Sequence, residues 1–170
     1  ADTSDALSSY GDREKKLEIL KDPHCGAFAV IRLCTYFLAY FCVAFCIRFS
    51  PRVGLCWTLA LVLERGLSGL AVAAFPMAKN TGLAHTFATA ADRESVKKIL
   101  IVLSVLLAAA LIALGGGALV AAALLVLWRY HHVAVKEFGG ITGDLAGWFL
   151  QKAEFWMLAA LAASQWGGIL

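Results

Sequence analysis

The chain has 170 residues, of which 61% are hydrophobic and only 16% charged, with a net charge of +3. A mean hydropathy of +0.75 is too apolar for a soluble domain of this size and is expected of a bilayer protein. The basic residues are scattered through short loops without a basic, aromatic-interleaved stripe, which argues against a nucleic-acid partner.

Residues 1–26 read as a polar, interfacial segment. Asp2 and Asp5 are spaced i, i+3, so on a helix both carboxylates share one face within reach of a common cation. Oxygen-only ligands favour Mg²⁺, often completed by substrate phosphates; a solvated helix turn would show the same spacing. Asp12 is placed to cap a short helix over DREKKLEILK, which Pro23 and Gly26 stop, and Asp22 reads as a helix-end residue. There is no signal peptide and no initiator Met, and the chain starts inside a motif, so an upstream segment is expected.

Five apolar segments follow, at 27–49, 53–75, 99–114, 118–135 and 145–163. The run over 99–128 exceeds the roughly 20 residues one span needs. Gly115-Gly116-Gly117 sits within it, so two helices joined by a tight turn are expected rather than one long tilted helix. The reading is an all-α polytopic integral membrane protein of about five transmembrane helices, one membrane domain with no internal repeat. Odd-numbered spans leave three connections on one side: residues 1–26, 76–98 and 129–144. These hold most of the Lys and Arg, which makes that side cytoplasmic by the positive-inside rule; a multi-pass location in the cell inner membrane is expected. The five cysteines form no CxxC pair and read as small apolar residues. His131 and His132 read as interfacial, and His24 and His85 as loop residues.

Two further motifs suggest chemistry. In FGGITGD, Gly139-Gly140 permits a strained turn, and Thr142 can cap the next helix. Gly143 and Asp144 then fall in its first turn, where free N–H groups and the helix dipole favour phosphate. An ordinary capped turn would look alike. Glu64 and Arg65 interrupt the second span. Helix neighbours point about 100° apart, so each is expected to need another partner or water, and a buried Arg suits phosphate oxygens.

Taken in order, these motifs resemble the cobalamin synthase family, the adenosylcobinamide-GDP ribazoletransferases. Ala1-Asp2-Thr3-Ser4-Asp5 matches the end of an HxDGLADTxDG segment. LEILKD with Gly26, Arg65-Gly66, Gly82-Leu83, and Gly139, Gly140, Thr142, Gly143, Asp144 and Gly147 match the motifs that follow. Ala6, Pro23, Lys79 and Trp148 depart from the usual residues. The resemblance implies joining of adenosylcobinamide-GDP to α-ribazole, or to α-ribazole 5′-phosphate, with release of GMP and a requirement for Mg²⁺. On that basis Asp2, Asp5 and Asp144 are expected to ligate the metal, and with Arg65 to form the catalytic set. Lys79, Gly140, Thr142, Gly143 and Asp22 are expected on the substrate phosphates. Association with other enzymes of the cobalamin pathway is a further expectation. A CDP-alcohol phosphotransferase would need a DGxxAR…GxxxDxxxD spacing that is absent. A permease would need a polar path, for which only Glu64 and Arg65 lie near mid-span; a non-catalytic scaffold is the remaining alternative.

Overall fold

A computed structural model describes residues 1–22, 24–78 and 92–170. Two short helices, α1 (Asp2–Ser8) and α2 (Arg13–Ile19), precede five long ones: α3 (Ala27–Phe45), α4 (Pro51–Ala74), α5 (Arg93–Ala113), α6 (Gly117–Val133) and α7 (Gly143–Trp166). A single π-helical turn, Ala134–Phe138, extends α6. The fold is all-α, and α3, α4, α5 and Gly117–Phe138 are each long and apolar enough to cross a bilayer.

Local chemistry sets the helix starts. The Asp12 side chain accepts from Lys15 N–H at 2.9 Å and caps α2. The Ser50 hydroxyl accepts from Val53 N–H at 3.2 Å, with Pro51 in the first turn of α4. The long apolar run breaks at Leu114-Gly115-Gly116, where Gly115 takes φ +89° and Arg52 donates to the Leu114 carbonyl at 2.9 Å. One boundary differs from the sequence reading. α5 begins at Arg93, so RESVKK belongs to its first turns rather than to the preceding loop. This charged segment has good helix formers, and Ser95 donates to the Asp92 carboxylate at 2.5 Å across the helix start.

The core is a three-helix seam of α4, α6 and α7, with Ala60, Leu63, Ala71, Ala123, Tyr130, Phe149, Ala153 and Met157 fully or almost fully buried. Small residues at these positions let backbones approach closely, which is how helices gain packing energy where lipid removes the hydrophobic drive. α3 and α5 lie at the periphery. They expose Phe37, Leu38, Phe41, Ile99, Val102 and Leu106, a surface suited to lipid rather than water.

The chain alternates between two ends. At one end, Arg48 and Gln165 exchange backbone and side-chain hydrogen bonds, and Arg52 holds the α5–α6 turn. The other end gathers residues 1–22, 24–26, 75–78 and 134–144, from the three motif-bearing stretches.

Candidate active site

The motif end is assembled by contacts between residues distant in sequence. The Asp5 carboxylate accepts from Gly26 N–H at 2.7 Å and from Ala29 N–H at 2.8 Å, so it caps α3 from 21 and 24 residues away. Gly26 has no room for a side chain, since a Cβ there would stand 2.5 Å from Asp5 Oδ2. Lys16 of α2 pairs with Glu137 of the π turn at 2.5 Å. The Arg13 guanidinium lies over Gly139, where a Cβ would come within 2.8 Å of Nη1.

The GGITGD segment is bound to the chain after α4. Ile141 N–H donates to the Pro76 carbonyl at 2.8 Å, and Ala78 N–H donates to the Ile141 carbonyl at 3.0 Å. Gly140, at φ +154°, lets that strand-like pair close: a Cβ would meet Ala78 N and Met77 C at 2.5 Å. Its side-chain absence therefore serves chain crossing. Thr142 caps α7 by accepting from Leu145 N–H at 3.2 Å, as its position suggests. Gly143 and Asp144 are exposed in the first turn, and nothing lies within 4 Å of a Cβ built on Gly143.

The predicted residues divide into separate groups. Asp2 and Asp5 share α1, which packs against α7, the helix that carries Asp144. Asp22 is exposed and local: it accepts from His24 N–H at 2.9 Å and contacts the His24 ring at 2.7 Å. The His24 N–H, and then its ring, hold the Asp22 carboxyl below its ordinary value. Arg65 lies nine residues before the end of α4, about 14 Å along the helix from the motif end. It is exposed, and its Nε stands 3.4 Å from the buried Glu64, so these neighbours do pair, loosely. Lys79, Gly82, Leu83 and His85 lie outside the described residues.

Sequence reading missed a second polar layer. Glu154 of α7 accepts from Tyr40 of α3 at 2.9 Å, and its charge is felt at Glu64 of α4. Glu64, with Arg65 loosely against it, thus shares a layer with Glu154 and Tyr40. The signal was the KAE triplet at 152–154, hidden within an otherwise apolar helix.

The acids offer only oxygen donors, which suits a hard divalent cation. Asp2 and Asp144 make no side-chain hydrogen bond or ion pair among the described residues, and Asp5 keeps lone pairs beyond the two it gives to α3. No group of three or more metal-binding side chains converges among the described residues. The donor set therefore fits a cation held by one or two carboxylates, with phosphate and water completing the shell.

Fold and site together define an all-α polytopic membrane protein with an acidic, glycine-bounded face at one end. The chain belongs to the cobalamin-5-phosphate synthase (CobS) family, whose model matches residues 1–162. It is 41% identical over 164 residues to an adenosylcobinamide-GDP ribazoletransferase of Lachnoclostridium phytofermentans, covering 95% of this chain and 61% of that protein. Proteins of the same name from Pseudomonas syringae pv. tomato and Geobacillus sp. are each 32% identical, with 95% and 92% of this chain and 66% and 62% of the relatives covered. The chain thus spans somewhat less than two thirds of these relatives. No solved structure matches it.

Proposed function

We propose that this chain carries the catalytic face of an adenosylcobinamide-GDP ribazoletransferase, a membrane transferase of cobalamin biosynthesis. The observation that carries the reading is the gathering of ADTSD, LEILKD and GGITGD at one end of the helix bundle, in a member of this family. In the reaction, a hydroxyl oxygen of α-ribazole, or of α-ribazole 5′-phosphate, bonds to the phosphorus nearer the cobinamide. The phosphoanhydride bond to GMP breaks, GMP leaves with the electron pair, and the hydroxyl proton passes to solvent.

Asp2 and Asp144, on the two helices that pack together here, would hold Mg²⁺. Held there, Mg²⁺ would supply charge neutralisation for the negative charge that grows on the departing GMP phosphate. Asp5 fixes the start of α3 and so positions α1 and Asp2. Thr142 fixes the start of α7, and the open space at Gly143 leaves the helix N–H groups approachable by phosphate. Arg65 lies too far along α4 to join this group by position alone, so we assign it to the deeper polar layer.

The topology supports five spans, with α7 as the fifth, and the positive charge of the motif end supports a cytoplasmic placement on the inner membrane. Partners that deliver the corrinoid would meet this face. The test is GMP release from adenosylcobinamide-GDP by the purified protein in liposomes, with α-ribazole and Mg²⁺. Release that needs both, with formation of adenosylcobalamin, is expected; no release, or release independent of α-ribazole, would overturn the reading.

A further inference from the structure

A cluster of cations lies one layer below the acidic face. α3 and α7 both start at the motif end, and the Arg48–Gln165 contact sets a register of 117 residues between them. Tyr40 on Glu154 and Tyr36 on Phe155 keep nearly that register along the pair. Arg32 therefore lies level with Phe149. It follows Ala29 and precedes Tyr36 and Tyr40 at helical spacing, at the exposed edge of the face that α3 turns to α7. On the other flank of α7, Tyr130 of α6 stacks on Phe149 with ring centroids 5.1 Å apart, which puts Arg129 at the same level. Lys152 is less than one turn deeper, and its ammonium lies within electrostatic range of both guanidinium groups.

Three helices thus bring three cations within one turn of the same level, and none is paired with a carboxylate among the described residues. No carboxylate bonds to Arg32, Arg129 or Lys152 among the described residues, and Pro23 and residues 79–91 include no Asp or Glu. Arg32 and Arg129 are exposed and Lys152 is half-buried, so the three gather at an open edge of the bundle, where like charges repel unless an anion joins them. The approach is also present. Asp144, Trp148 and Lys152 recur every four residues, one stripe of α7 running from the exposed motif end to the half-buried Lys152. Side chains lean toward the start of their helix, so Arg32 and Lys152 reach up toward the acids.

We propose that Arg32, Arg129 and Lys152 form a phosphate-binding pocket that holds the diphosphate of a nucleoside diphosphate ester. This rests on the function proposed above and places the substrate's diphosphate below Asp144, in the groove between α3 and α6. Guanidinium groups suit such oxygens because each donates two parallel N–H bonds. An anionic lipid headgroup offers the same phosphate chemistry, and the test separates the two.

Inorganic pyrophosphate and GDP are titrated calorimetrically into the protein in neutral detergent, and phosphatidylglycerol retention is measured on the same preparations. R32Q, R129Q and K152Q are compared with R32K and K152R, which keep the charge and report on folding. The expected result is pyrophosphate binding that each Gln variant weakens about tenfold or more, with the charge-preserving variants closer to the parent. Unchanged pyrophosphate affinity in all three Gln variants would overturn the pocket. So would loss of lipid retention with pyrophosphate binding intact. Turnover assays on the same samples keep the two proposals apart. Pyrophosphate binding lost in the variants of a protein without transferase activity would leave the pocket standing and refute the function; full activity with unaltered binding would do the reverse.

Discussion

Asp5 gives the sharpest separation between a structural and a chemical role. Its two oxygens accept from Gly26 and Ala29 at 2.7 and 2.8 Å, and they hold the start of α3 to α1. Hydrogen bonds to a charged group contribute about 1.5–3 kcal/mol each, and partial exposure pulls the pair toward the lower end. Asp5→Ala is therefore expected to cost about 2–4 kcal/mol. At roughly 2–4 °C per kcal/mol for a chain of this size, the melting midpoint falls on the order of 10 °C. Gly26→Ala reaches the same contact from the other side, because its Cβ would lie 2.5–2.8 Å from three Asp5 carboxylate atoms. Gly26 has φ −80°, so the added methyl strains no backbone, and the loss reports the displaced carboxylate alone. Thermal unfolding in detergent, followed by circular dichroism, should show both variants destabilised and Asp2→Ala near the parent. An Asp5→Ala protein as stable as the parent would refute the capping argument.

Gly140→Ala should open the crossing between 76–78 and Ile141, since its Cβ would overlap backbone atoms at 2.5–2.6 Å and φ is +154°. Strain and two lost hydrogen bonds amount to about 2–4 kcal/mol, and the Ile141 amide should exchange with solvent much faster; unchanged protection would contradict the contact. Glu64 is fully buried, and neither oxygen has a hydrogen-bond partner, so Glu64→Gln should leave the midpoint unchanged or raise it. A fall of about 2 kcal/mol or more would mean that the loose contact with Arg65 outweighs the cost of burying the charge. The Asp22 carboxyl is held below its ordinary 3.8, chiefly by the His24 N–H. The turn it makes is therefore at full strength above pH 4 and weakens as pH falls through the lowered value. Carbon-detected titration of Asp22 should show that low midpoint, and Asp22→Asn should abolish the pH response of the His24 amide; a response that survives would contradict the turn.

What was legible in the sequence was local. The glycine break at 115–117 and the Thr142 cap follow from chain chemistry within a few residues, and both stand in the structure. The grouping of the motifs at one end followed from counting hydrophobic runs. The reasons behind particular residues were not legible where the partner is distant. Asp5 meets Gly26 and Ala29, and Gly140 is kept bare by Met77 and Ala78, contacts that no spacing rule reveals. The deeper polar layer was hidden for a different reason. Lys152 and Glu154 dilute little of the hydropathy of a long helix, and their neighbours Tyr40 and Arg129 come from other helices.

The most direct test of the account is turnover by Asp144→Asn. The substitution keeps the size of an exposed side chain in the first turn of α7 and removes its charge, so membrane insertion and thermal midpoint should match the parent. GMP release from adenosylcobinamide-GDP should then fall to background at any Mg²⁺ concentration. Release at the parental rate would contradict the assignment of the acidic face as the catalytic centre.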